Sequence, residues 1–147
     1  MKSRFFPKLF AFSKNKRLLC KNFDPERNEK KMKERIKELL VRQKRYRDCD
    51  YSQAQLAADM GVDVSQLSRS FKRLFGMSYS GLVHKYRVKD AMKYLRNPKQ
   101  HYTIDDVAML AGFGNRQSFY SAFKKETGMT PEAWRTYQLT SLDKTTD

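Results

Sequence analysis

Residues 52–78, SQAQLAADMGVDVSQLSRSFKRLFGMS, return in altered form as residues 103–130, TIDDVAMLAGFGNRQSFYSAFKKETGMT. Leu56, Ala57 and Gly61 recur as Val107, Ala108 and Gly112, an offset of 51. Beyond that glycine the offset is 52, and Asp63, Leu67, Phe71, Lys72, Gly76, Met77 and Ser78 recur as Asn115, Phe119, Phe123, Lys124, Gly128, Met129 and Thr130. The second copy therefore holds one extra residue in its turn. Such self-similarity reads as one supersecondary unit used twice.

Each copy carries the punctuation of two helices joined by a tight turn. The first N–H groups of a helix have no partner inside it, and Ser52 with Gln55, like Thr103 with Asp106, has the spacing of a capping box that satisfies them. Asp63 and Asn115 are suited to cap the second helices. Gly61 and Gly112 allow the left-handed backbone of a turn, while Gly76 and Gly128 close the units. The predicted helix-turn-helix units span about 52–76 and 103–128.

Between them, Tyr79 to Arg96 sets Leu82, Tyr86 and Leu95 at helical spacing and stops before Asn97-Pro98, so one connecting helix of about 79–96 joins the units. At about 1.5 Å per residue it spans roughly 25 Å, and the helices at its ends bring the reach near the ~34 Å between successive major grooves on one DNA face. Thr130-Pro131 opens a last helix with proline at its first position, and Trp134 is expected to pack on the second unit. On the N-terminal side, Met32, Ile36, Leu39 and Leu40 make an amphipathic helix from Lys31 to about Tyr46.

Residues 1–30 mix Lys and Arg with Phe5, Phe6, Phe10 and Phe12 without a period and are expected to be a mobile basic arm. Residues 141–147 read as a polar tail. No alternating β-branched run and no Asn-Gly or Asp-Gly hairpin turn occurs. The predicted fold is all-α, with about seven helices and two helix-turn-helix subdomains within residues 31–140, joined by the long connecting helix.

With 147 residues the chain suits one ordinary domain plus tails, and its formal charge of +15 favours a polyanionic partner, nucleic acid first and an acidic membrane surface second. Cys20 and Cys49 are the only cysteines and no Cys/His cluster has zinc spacing, so no metal site is expected. Lys8 and Lys14 interrupt the opening apolar residues, which excludes a signal peptide, and nothing approaches the ~18 apolar residues of a membrane span. A cytoplasmic protein with reduced thiols is expected. His84 and His101 have no partners that suggest catalysis, and Asp105-Asp106 reads as first-turn helix charge. No catalytic residue, no cofactor and no enzymatic activity is expected.

The second helix of each unit carries the functional signal. Leu67 and Phe71, like Phe119 and Phe123, lie four apart and share one face. The opposite stripe holds Ser65, Ser68, Arg69 and Lys72 in the first unit, with Gln66 beside Ser65, and Gln117, Tyr120, Ser121 and Lys124 in the second. Small polar, amide and guanidinium groups are the ones that read base edges: Arg can bond guanine bidentately and Gln adenine. Lys72 with Arg73, and Lys124 with Lys125, are placed for phosphates. A solvated face would look similar if it occurred once; this one occurs twice, on the second helix of a capped pair, in a basic chain.

The stretch from Tyr102, YTIDDVAMLAGFGNRQSFYSAFKKETGMTPEAWR, resembles the signature of the AraC/XylS family of transcription regulators, with a hydroxyl cap, Gly-Phe, a Ser-aromatic pair, Phe-Lys-Lys, Gly-x-Thr-Pro and an aromatic-Arg ending. The match extends over about residues 32–138. The resemblance implies two recognition helices, about 64–75 and 116–127, entering adjacent major grooves of double-stranded DNA from one monomer, with RNA polymerase as a further partner. By position it implies Ser65, Ser68 and Arg69 facing bases from the first helix, and Arg116, Gln117, Tyr120 and Ser121 from the second. Relatives often have a long basic residue where Ser121 stands. Most also carry a large ligand-sensing domain, for which residues 1–30 are too short, so the chain resembles the stand-alone members or the severed DNA-binding end of a larger or membrane-associated regulator. The competing reading is a non-specific nucleic-acid-binding protein, on charge alone.

Overall fold

A computed structural model of the chain describes residues 25–143. Among these the fold is all-α, with seven α-helices and no strand: α1 (Pro25–Ile36), α2 (Gln53–Met60), α3 (Val64–Phe75), α4 (Tyr79–Arg96), α5 (Ile104–Leu110), α6 (Arg116–Thr127) and α7 (Pro131–Asp143). The chain divides after Glu34 into two compact units. No helix among the described residues is long and apolar enough to cross a membrane.

The start of the chain departs from the pattern expected of it. Helix α1 begins at Pro25, six residues before the amphipathic period, with Glu26 in its first turn. Proline at a first helical position and an acid near the positive end of the helix dipole both suit a helix in this segment. The Glu, Lys and Arg that follow are good helix formers and need no apolar period to continue it. The remainder of the expected basic arm, residues 1–24, lies outside the described residues. The C-terminal end also differs: α1 passes into a wider π-type turn at Lys37–Arg42, Lys44 adopts a left-handed backbone with φ 55°, and Tyr46 sits in a separate 3-10 turn, Arg45–Arg47.

Both repeats fold as their caps dictate. Ser52 accepts from the backbone N–H of Gln55, whose side chain accepts from that of Ser52 at 2.7 Å. Thr103 and Asp106 do the same in the second unit. Asp63 accepts from the N–H groups of Ser65 and Gln66, and Asn115 from that of Ser118 at 2.8 Å. The two turn glycines differ. Gly61 faces open space, but Gly112 is buried with φ 95°, and a Cβ on it would lie 2.4 Å from the carbonyl oxygen of Arg47. Only a residue without a side chain lets those backbones approach so closely.

Helix α4 is the hub of the second compact unit. Val88, Ala91 and Leu95 on it join Val107, Ala108, Phe113, Phe119, Phe123 and Trp134 in one core. Phe123 meets Trp134 edge-on at 6.0 Å, which ties α7 to the second helix-turn-helix as expected. In the first helix-turn-helix, Leu56, Leu67 and Phe71 are fully buried. The Phe71 ring stands perpendicular to that of Tyr79, at 5.7 Å. Two charges lie inside this packing. Arg87 donates from Nε to the carbonyl of Tyr46 and from Nη2 to that of Asp48 at 3.0 Å, and Asp90 accepts from the Tyr46 hydroxyl and, at 2.8 Å, from Arg47 Nε.

Candidate nucleic-acid interface

Burial separates the two faces of α3. Leu67, Ser70 and Phe71 are buried, while Ser65, Gln66, Ser68, Arg69, Lys72 and Arg73 are all exposed. The residues expected to face bases thus share the solvent side of one helix, and their backs rest on core. The N-terminal end of this face is already occupied: the Ser65 hydroxyl donates to Asp63, the same carboxylate that caps the helix. That hydrogen bond, with those from the Gln66 and Ser65 N–H groups, outweighs the small cost of burial and holds the Asp63 carboxyl below its usual range. Asp63 therefore stays ionised near neutral pH as the helix cap.

Helix α6 presents Arg116, Gln117, Ser121, Lys124 and Lys125 to solvent, opposite the buried Phe119, Ala122 and Phe123. Tyr120 is half-buried. Its ring packs edge-on against Phe119 at 5.9 Å, and its hydroxyl donates to Glu132 while accepting from Arg116 Nη2 at 2.8 Å. The guanidinium of Arg116 lies over the Tyr120 ring, 4.9 Å from its centre, and pairs with Asp105 at 3.3 Å and Glu132 at 3.9 Å. Tyr120 is thus the floor on which Arg116 rests. Burial opposes the charge on Glu132, but the Tyr120 hydrogen bond and other hydrogen bonds, with the Arg116 charge, prevail and lower its pKa.

Asp105 and Glu132 escape a reading by sequence because each also suits the first turn of its own helix, and their distance from Arg116 along the chain follows no helical period. His84 is a third such residue. With Gln117, Ser118, Ser121, Ala122 and Lys125 it lines an open cleft of about 350 Å³. Burial, with the charges of Arg87 and Lys125, keeps His84 below the usual imidazole range, and so neutral at pH 7. Among the described residues, the exposed side chains of Asp48, Cys49 and Asp50 bring possible metal-ligand atoms within 4.8 Å of one another, an arrangement that exposed acidic groups commonly adopt without a metal.

A family model described as a helix-turn-helix domain matches residues 56–137. Over 79 residues the chain is 33% identical to the bifunctional transcriptional activator/DNA repair enzyme AdaA of Bacillus subtilis, covering 54% of this chain and 36% of that protein. Over 76 residues it is 28% identical to the xylose operon regulatory protein of Escherichia coli, covering 52% of this chain and 19% of that one. The chain thus spans about a third or less of the length of these curated relatives. Among solved structures, the C-terminal domain of the two-component response regulator yesN from Fusobacterium nucleatum has the same fold, with a TM-score of 0.62 at 24% identity over 70% of this chain and 96% of that one. The DNA-binding domain of AdpA, solved in complex with a target DNA, matches with a TM-score of 0.61 at 23% identity over 72% and 90%.

Proposed function

Because the chain belongs to the AraC-type helix-turn-helix family, we infer that it is a sequence-specific DNA-binding transcription regulator that inserts α3 and α6 into successive major grooves. The observation that carries this reading is the duplicated geometry: two capped helices, each with large buried apolar residues behind and an exposed polar and cationic stripe in front. Arg69 on α3 has the paired donors, and Gln117 on α6 the donor and acceptor, for bidentate base contacts, and Ser68 and Ser121 are small enough to let the helices lie close. Lys72, Arg73, Lys124 and Lys125 neutralise phosphates and fix the register. The chain binds as a monomer, since it supplies both reading helices itself, and RNA polymerase is the partner through which bound DNA is turned into regulation. The AdpA domain of similar fold was captured on a target DNA, and that precedent supports the same use of this surface.

The formal charge of +15 favours non-specific nucleic-acid binding as the second reading. One experiment separates them: selection of bound sites from random DNA, followed by affinity measurements on the enriched site. A two-part asymmetric motif is expected. Arg69→Ala should then cost ~1–3 kcal/mol and relax preference at one base position, whereas Lys72→Ala should weaken all sequences alike and reduce the salt slope by about one. Failure to enrich any motif would leave the charge-driven reading standing.

A further inference from the structure

We propose that Asp105 and Glu132 are positioning residues that hold Arg116 in one orientation for base reading and keep it from acting as a roaming phosphate contact. The inference rests on the reading of α6 as a recognition helix and adds how that helix achieves selectivity. Three helix starts converge here: Asp105 is in the first turn of α5, Arg116 is the first residue of α6 and Glu132 is in the first turn of α7. Arg116 Nη1 donates to Asp105 at 3.3 Å and Nη2 to the Tyr120 hydroxyl at 2.8 Å, while that hydroxyl donates onward to Glu132. The ring of Tyr120 covers one face of the guanidinium plane.

A guanidinium has five N–H donors in a fixed plane. The cage engages two of them and leaves three, enough for a bidentate base contact whose direction is set before DNA arrives. A single exposed ion pair would do little. Here two carboxylates, a tyrosine hydroxyl and a ring act on the same exposed group, and several charges in a network hold a geometry that one exposed pair does not. The two acids also offset Arg116 and the positive starts of the three helices, so this corner attracts phosphate less than it would without them. Arg69 on α3 has no such cage among the described residues. The two recognition helices thus differ: α6 presents a guanidinium held by hydrogen bonds, ion pairs and a ring, and α3 one that, among the described residues, feels only the charge of the Asp63 cap.

The test uses the full chain and the isosteric double variant Asp105→Asn/Glu132→Gln, with two readouts. The first is NMR relaxation of arginine Nε–H groups in the free protein. Arg116 should be markedly more ordered than Arg69 in the wild type and as mobile as Arg69 in the double variant; equal mobility in the wild type overturns the proposal whatever happens on DNA. The second is the affinity ratio between the selected site and random DNA at several salt concentrations. The double variant should bind random DNA several-fold more tightly, lose preference at one base position and show a ratio lowered five- to tenfold. In an Arg116→Ala background the acid substitutions should leave base preferences unchanged. Equal tightening on both DNAs with preferences intact would make the two acids mere surface charge and sink the positioning role. A wild type that orders Arg116 yet enriches no motif would overturn the reading of function itself, and with it the claim that the order serves base recognition.

Discussion

Asp90 is 4% exposed, a depth at which an unpaired carboxylate would take up a proton. Burial does press its pKa upward, but the hydrogen bonds from Tyr46 and Arg47 and the charges of Arg47 and Lys93 outweigh it, and the folded value lies below the ordinary one. Burial, together with the same contact, pushes the Tyr46 hydroxyl up to about 12. A carboxyl whose pKa is depressed by folding stabilises the fold above its unfolded pKa, and that contribution is lost as the pH falls through the folded value. Urea unfolding from pH 7 downward should therefore show stability falling on the acid side. Asp90→Asn should flatten that fall and cost about 1–3 kcal/mol at neutral pH, through buried donors left without a charged acceptor. Identical acid limbs for variant and wild type would place the sensitivity elsewhere. Nothing near Asp90 in sequence announces this role. An Asp beside Lys89 on a helix reads as solvent-facing, and its partners Tyr46 and Arg47 are 44 and 43 residues away. The caps at Ser52, Asp63, Thr103 and Asn115 were legible because their hydrogen bonds close within three residues. Arg116 was named as a base contact, but its carboxylate partners come from other helices and no local pattern marks them.

At the scale of elements, the connecting helix is the part the sequence describes best. Proline after Asn97 and a hydroxyl cap at Ser78 fix both ends of α4, and it runs without interruption through Tyr79–Arg96. The first helix was legible only where apolar residues repeat, since a charge-rich turn can be helical without advertising a buried face. A continuous α4 has a consequence for the DNA that the proposed function requires. The two elements of a bound site should lie ~10–10.5 base pairs apart, and about five added pairs turn the second element half-way round the duplex. Affinity for such a spaced site should collapse to that of a single element, or recover only by deforming DNA at about 1–6 kcal/mol. Softening the helix at Lys85 and Lys89, both exposed, by substitution with glycine should partly restore binding to the spaced site and weaken binding to the native one, each glycine costing roughly 1 kcal/mol. Val88 would be the wrong place to test this, because its buried side chain belongs to the core. Equal protection of both elements on both DNAs in footprinting would show that the units are not held in register.

At the scale of the whole molecule, the repeated sequence accounts for two similar halves but not for what unites them. Helix α4 joins them, and a short stretch between α1 and the first repeat is seated against α4 and the second half. The backbone of Arg47 fits against Gly112 in the second helix-turn-helix, the ring of Tyr46 stacks at 5.5 Å on that of Tyr86, and the carbonyls of Tyr46 and Asp48 receive the buried Arg87. A chain begun at residue 52 would retain both repeats and lose all of these partners. Thermal melts should find it less stable than a chain begun at residue 35 by on the order of 3–5 kcal/mol, the penalty for stranding buried charges. Matching melting temperatures would show the stretch to be dispensable.

The close fit at Gly112 bears also on how such a protein can be cut and rejoined. The recognisable motif runs from residue 56 to 137, yet the piece that is portable as a working part has to begin upstream of Arg47, because the turn of the second half is completed by backbone that precedes the first. A graft made at the edges of the motif would carry every side chain proposed to read bases to its new host and leave behind the backbone that completes the second turn.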